Sequence, residues 1–323
     1  MRASRRSRDM EFGAVVTHAS PKPMATAYRT MERSASPDNS PIFVAVDGLS
    51  SGWDALEWAA AEATSRQCGL GIVHAVAWPL PALDLLGGFA ATQWDPAIEA
   101  AAALLFSEAV SRALMIAPNL RITTHLDVGD TESAVLQHGH RSGLIVLGQR
   151  RSIGRARSFT RPIYGRVASR ARCPVAIVKL SGENSYGPST GRVVVGVDCT
   201  GQSTAAIGFA FRAAHRRGVG VTALHACTAC AHEADLDKVV TDQYECRIVE
   251  RALRASRDEF LDVDVRQRVV SSAAAPALLA ESVAAALVVL GSSVRRLHRP
   301  LSKSVGSAVS RLAQSPVVIV PTR

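Results

Sequence analysis

The sequence predicts an α/β protein built as two tandem five-stranded parallel-sheet sandwiches, preceded by a short tail. Three observations predict it. Short runs of Val, Ile and Leu alternate with alanine-rich stretches at helical period, in the order β-α-β-α-β-α-β-α-β, which calls for a parallel sheet with helices on both faces. The series then occurs a second time. Asp47 and Asp198 close matching strands 151 residues apart, and His74 and His225 share that offset; Gly148 and Gly291 are 143 apart, and Cys173-Pro174-Val175 matches Ser315-Pro316-Val317 at 142. Landmarks in one order at near-constant offsets mark a duplication. The drop in offset puts a shorter connection between the second and fourth strands of the second copy. Finally, 47% apolar but only 5% aromatic residues suit alanine-rich helices laid on a Val/Ile/Leu sheet.

Residues 1–40 are rich in Ser, Arg, Pro and Thr without a period and read as a disordered basic tail. Met24 and Met31 are alternative starts for the natural chain. The first sandwich is expected over 41–181. Ile42–Asp47 is a strand, and Gly48-Leu49-Ser50-Ser51 is a turn whose hydroxyls can cap the helix around Ala55–Ala63. A strand follows at Leu70–Val76, then a Pro/Gly-rich loop from Trp78 to Trp94 and a long helix from Pro96 to about Met115. Arg121–Leu126 is the third strand, and a helix runs from about Glu132 to His140. Leu144–Gly148 is an apolar run stopping at glycine and opening into an arginine-rich loop. Such a strand delivers its loop to the carboxyl edge of the sheet, where open α/β folds bind ligands. A helix at about Pro162–Ala171 and a strand at Cys173–Val178 complete the unit. A Gly/Ser/Asn/Pro linker at about Ser181–Gly191 leads to the second unit over 190–323, opening with Val193–Asp198.

Net charge is +9 and unevenly spread. Eight arginines and no acid lie between Arg150 and Arg172, and five basic residues and no acid between Arg295 and Arg311. Both clusters follow the strand–Gly feature, so each reads either as a solvated helix face or as an anion site. No apolar run approaches the roughly 20 residues of a membrane span, and no apolar core follows the basic start, so a cytoplasmic protein without membrane partners is expected. Few aromatics and no recognised module argue against a nucleic-acid partner. The six cysteines are sparse and read as reduced structural thiols. His225, Cys227, Cys230 and His232 lie within eight residues, but His225 is explained by its match to His74, and one Cys-x-x-Cys lacks the second ligand pair of a zinc knuckle. No metal is expected. Ser51-Gly52-Trp53-Asp54 has only part of the Ser-Gly-Gly-x-Asp-Ser loop of ATP pyrophosphatases, and no nucleophile recurs at matching positions, so no catalytic residue is assigned.

The ordered landmarks resemble the universal stress protein family in its two-domain form: a first strand ending in Asp (Asp47, Asp198), a second ending in His (His74, His225), a fourth ending in Gly (Gly148, Gly291), and a closing small-residue–Pro–Val strand. The resemblance covers about 41–323. It implies a Rossmann-like, adenine-nucleotide-hydrolase-like fold, pairing of the closing strands, and a regulatory role in stress adaptation through protein partners rather than catalysis. Many family members bind ATP through Gly, two residues, Gly, nine residues, then Gly-Ser/Thr, with the strand-one Asp at the adenosine end. Glycines let the backbone approach the phosphates, and the last pair opens a helix whose amides hold them. Here the first copy keeps Gly148 but has Arg151, Arg161 and Pro162 at the later positions; the second keeps Gly291 and Ser304 but has Val294 and Lys303, one residue short in spacing. The candidate nucleotide-binding residues are therefore Asp198, Gly291, Lys303 and Ser304, with Asp47 and Gly148 as their counterparts. An adenine nucleotide such as ATP is the expected ligand, mainly in the second copy. The alternatives are a degenerate interaction scaffold and, less favoured, a nucleotide hydrolase. Homodimers through the closing strand are also open to such a fold.

Overall fold

In the first half of the chain the β-branched runs form β1 (Ile42–Ala45), β2 (Leu70–Val76), β3 (Ile122–Val128), β4 (Leu144–Gly148) and β5 (Val175–Val178), and the alanine-rich stretches form α1 (Ser50–Ser65), α2 (Pro96–Ile116), α3 (Thr131–Gly139) and α4 (Ile163–Arg170). The second half supplies β6 (Val193–Val197), α5 (Thr204–Arg217), β7 (Val221–Ala226), α6 (Asp235–Glu259), β8 (Val265–Val270), α7 (Ala274–Glu281), β9 (Leu287–Ser293), α8 (Val305–Leu312) and β10 (Val317–Thr322). These come from a computed structural model, which describes residues 39–76, 96–149, 162–179, 191–198, 201, 203–227, 235–293 and 304–322.

The ten strands make one sheet in the order β3-β2-β1-β4-β5-β10-β9-β6-β7-β8. Within each half neighbouring strands are parallel. The halves meet where β5 and β10 pair antiparallel, with Ile177 opposite Val317, Ala176 opposite Val318 and Val175 opposite Ile319. All four residues of β5 are buried, as are the first four of β10. That burial needs the other half in place, because a strand exposed at an edge leaves backbone groups and apolar side chains in water.

Alternation along each strand sends one set of side chains to each face. One face holds Ile42, Val44, Leu144, Val146, Ala176 and Val178 together with Val318, Val289, Val195 and Val193, covered by α1 and α5. The other holds Ile145, Leu147, Val175 and Ile177 with Val317, Ile319, Val288 and Leu290, covered by helices including α3, α4 and α8. Both cores run unbroken through the seam. In α1, Ala55, Leu56, Ala59, Ala60 and Ala63 are buried at helical spacing, and their small size lets the helix lie close on the sheet. Gly218, at φ 63° and ψ 30°, stops α5 with the left-handed turn only glycine enters freely.

Across the seam α1 and α5 are joined by charge. Glu62 on α1, 3% exposed, meets Arg66 at 2.7 Å, Arg216 at 3.8 Å, and Arg217 in a direct hydrogen bond. Arg66 also lies over the Phe209 ring, 5.1 Å from its centroid. Burial pushes the Glu62 carboxyl up, but Arg217, Arg66 and Arg216 together outweigh it and hold the pKa down to about 2. The residue 151 positions on from Glu62 is Ala213, so this carboxylate has no counterpart in the other half.

Three details differ from the sequence expectations. Neither Ser50 nor Ser51 caps α1; Leu49 takes the cap position without a side-chain bond, and the turn is held instead by the Leu49 amide donating to Asp47 Oδ1 at 3.0 Å. Strand β9 runs two residues past Gly291, because β10 extends to Thr322 and offers partners for Ser292 and Ser293. Part of the first arginine cluster is structural: Arg166 and Arg170 on α4 clasp Glu132 on α3 at 2.5 and 2.8 Å. Among the described cysteines, Cys68, Cys173 and Cys246 carry free thiols; burial pushes the Cys173 thiol up to about 11 and that of Cys68 upward. Cys199 and Cys230 lie outside the described residues, as do the tail, the Pro/Gly loop and the arginine loop.

Replacing Glu62 with Gln leaves three guanidiniums without their carboxylate. It is expected to cost about 3–5 kcal/mol of stability in urea unfolding. In the native protein the Glu62 contribution is complete above pH 4.5 and is lost as the pH falls from there toward 2. The stability difference between native and Glu62→Gln proteins should therefore shrink over that acid range.

Candidate functional site

In each half the sheet order reverses where the first and fourth strands lie side by side. Connections from these strands leave toward opposite faces, and a crevice opens at the carboxyl edge between them, the usual ligand position of open α/β sheets. In the first half β1 and β4 pair through Val44 and Val146, so two residues further on Val46 and Gly148 stand level at the carboxyl edge. In the second half β6 and β9 pair through Val195 and Val289, which brings Val197 level with Gly291. Asp47 and Asp198 follow at once, both exposed. The structure thus brings Asp47 and Gly148 to one switch point, and Asp198, Gly291 and the start of α8 to the other. Lys303 lies outside the described residues.

The two histidines do the same job in both halves. His74 Nδ1 is 2.9 Å from the Val46 carbonyl oxygen, and His225 Nδ1 is 2.8 Å from that of Val197. A carbonyl only accepts, so Nδ1 carries the proton in each ring. Each bond fixes the end of the second strand to the residue just before the aspartate, making these histidines positioning groups for Asp47 and Asp198. Among the described residues no group of three or more His, Cys, Asp or Glu could hold a metal; Cys230 and His232 lie outside them.

The local chemistry of the two aspartates differs. Asp47 Oδ1 closes the turn to Leu49, and Gly48 makes that turn at φ +76°. A methyl group on Gly52 would sit 2.9 Å from Asp47 Oδ1, so glycine there lets the carboxylate lie against the start of α1. The residue 151 positions later is Ser203, and it uses that space: its Oγ donates to Asp198 Oδ1 at 2.8 Å and accepts from the Asp198 amide at 2.8 Å. Ser203 is 4% exposed. It escaped the sequence reading, because its only signal is alignment with a glycine.

The helices after the glycines differ more. In the first half Pro162 precedes α4 at φ −55° with no side-chain cap. Proline has no N–H to offer an anion. A methyl group on Gly148 would overlap the carbonyl oxygen of Ser51 in the first turn of α1, so this glycine serves close packing of that turn over β4. In the second half Gly291 is exposed. Ser304 caps α8, its Oγ accepting from the Ser307 amide at 3.1 Å. Val305 and Gly306 stand ahead of that bond in the first turn, where helix geometry provides no acceptor four residues back within the helix. A glycine edge, a carboxylate with a fixed hydroxyl and a capped helix start can accept a polyanion at one end and a hydroxyl or amino donor at the other.

Beside the first site, Gln149 follows Gly148 and donates from Nε2 to the Arg311 carbonyl oxygen in the last turn of α8, at 3.2 Å. The side chain is buried and ties the end of β4 to the other half. It too went unread, since its partner is 162 residues away.

Comparison with known proteins agrees with this layout. The model of the Universal stress protein family matches twice, over residues 39–179 and 190–321. Universal stress protein Rv2005c of Mycobacterium tuberculosis is 30% identical over 289 residues, covering 86% of this chain and 96% of its own. Universal stress protein Rv1996 of the same organism is 28% identical over 306 residues, covering 88% and 96%. A solved universal stress protein from Archaeoglobus fulgidus superposes with a TM-score of 0.67 over 88% of this chain and 97% of that one; at 15% identity the likeness is one of fold.

Gly148→Ala is expected to destabilise the protein by about 1–3 kcal/mol through overpacking against α1. Ser304→Ala should cost about 1 kcal/mol through loss of the α8 cap. Thermal unfolding of the two variants beside the native chain checks both.

Proposed function

The chain belongs to the universal stress protein family, and on that premise we propose that it is a regulatory protein of stress adaptation that binds an adenine nucleotide in its second half. One observation carries the reading: exposed Gly291 opens the switch point between Asp198 and the Ser304-capped start of α8. The phosphates would lie on the first turn of α8, with the Lys303 charge added from the adjoining residue. The adenosine end would meet Asp198, whose carboxylate is oriented by Ser203. The first half supports the scaffold reading for itself, since Pro162 removes a donor and α1 closes over Gly148. In this proposal Asp47 and Gly148 are architectural, and nucleotide occupancy in the second half alone is read by protein partners in the cytoplasm. A homodimer of whole chains would need a surface other than β5 and β10, which already pair with each other. We read the site as binding without turnover; steady ADP release well above a heat-killed control would overturn that part.

Isothermal titration with ATP tests the reading. Measurable heat is expected, weakened about tenfold or more by Lys303→Ala with Ser304→Ala, since two polar contacts of about 1 kcal/mol are lost. No heat and no thermal shift at millimolar nucleotide would refute binding. Undiminished binding in the double variant would place the pocket elsewhere.

A further inference from the structure

On the face of β3 away from α2, two histidines meet at a tilt between the strand and α3. His125 on β3 and His138 in the last turn of α3 have ring centroids 4.6 Å apart. Phe43 of β1 lies beside both, 4.9 Å from His138 in a stacked arrangement and 5.5 Å from His125. Phe43 reaches them by lying across Gly71 of β2, where any side chain would overlap its ring. His138 Nε2 is 2.8 Å from Asp127 Oδ2, and His125 Nε2 is 3.1 Å from Thr123 Oγ1.

The second half has a different pair in this place. At the 143-residue offset that relates Gly148 to Gly291, His125 becomes Arg268 and His138 becomes Glu281. These two form an ion pair between β8 and α7. The same strand–helix contact is thus made once by a guanidinium and a carboxylate and once by two imidazole rings.

We propose that the His125–His138 pair is a proton-operated catch, holding α3 on the sheet at neutral pH and releasing it on acidification. His138 faces the Asp127 carboxylate, whereas a proton on His125 meets a hydroxyl on one side and the His138 ring on the other. Other charged or titratable groups nearby are Glu132 at the start of α3, engaged by Arg166 and Arg170 of α4, and His140 and Arg141 just past its end. β1 and β2 present Phe43, Gly71 and Val73 on this face, none of which titrates. Burial first, and then the His138 charge, lower the His125 pKa from 6.5, with Asp127 opposing. The unfolded chain therefore takes up this proton more readily than the folded one. Stability is complete above 6.5 and declines as the pH falls through the lower folded value. Because Glu132 of α3 is clasped by two arginines of α4, release of α3 also loosens the helix that follows Gly148.

The experiment compares amide exchange in the full chain at pH 7.5 and 5.5, corrected for intrinsic rates, over α3 and over α7. Protection of α3 is expected to fall severalfold, with about tenfold as the ceiling for one proton taken up at an ordinary histidine pKa over this range, while α7 is unchanged. Exchange of the pair for that of the second half, His125→Arg with His138→Glu, should keep α3 protected at both pH values. In the native chain, NMR titration should show His125 charging below 6.5, and His138→Gln should raise that midpoint. Parallel changes in α3 and α7, or a His125 midpoint indifferent to His138→Gln, would overturn the proposal. If either variant fails to fold, the α3–α7 comparison in the native chain decides alone.

Discussion

The antiparallel contact between β5 and β10 is what the rest of the structure depends on. Three residue pairs join there, yet through them two five-stranded sheets become one and two cores become continuous. Neither strand would be buried without the other. With the closing strands used internally, the outer edges of the sheet are β3 and β8. Both carry polar residues, among them Thr123, His125 and Asp127 on one and Arg266, Gln267 and Arg268 on the other. Such residues discourage further strand addition.

The two crevices share a backbone frame and differ in chemistry. Each aspartate is preceded by a residue whose carbonyl is bonded to a histidine. Beyond that frame the halves diverge: Gly52 against Ser203, Pro162 against Ser304, a closed Gly148 against an exposed Gly291. The divergence is concentrated in the turns after the strands, where side chains face the crevice rather than the core. The frame is set by packing; the turns carry the side chains in which the two crevices differ.

Much of the fold was legible in the sequence because parallel strands buried on both faces read as unbroken apolar runs, and the repeat let weak landmarks support one another. Asp47, His74 and Gly148 stood out because strand ends need particular residues, and each had a partner in the second copy. What was not legible depends on proximity between distant segments. Glu62 looks like a solvent-facing acid of an amphipathic helix until Arg216 and Arg217 arrive from the other half. Arg166 and Arg170 read as an anion site or a wet helix face, and their anion turned out to be Glu132. The extra length of β9 follows from its neighbour β10, and the turn before α1 is closed by an aspartate rather than by the serines beside it.

In a dimer of identical subunits, every residue near the two-fold axis meets its own image. A carboxylate there would arrive as two carboxylates, and its removal would leave none. Joining the halves in one chain lifts that restriction. Glu62 faces Ala213 in the sequence alignment of the halves, and one acid binds Arg66 from its own helix and Arg216 and Arg217 from the other. Covalent linkage thus permits an odd number of charges at the axis. It also keeps two unlike crevices side by side in fixed one-to-one proportion, an arrangement no pair of exchanging identical subunits can maintain.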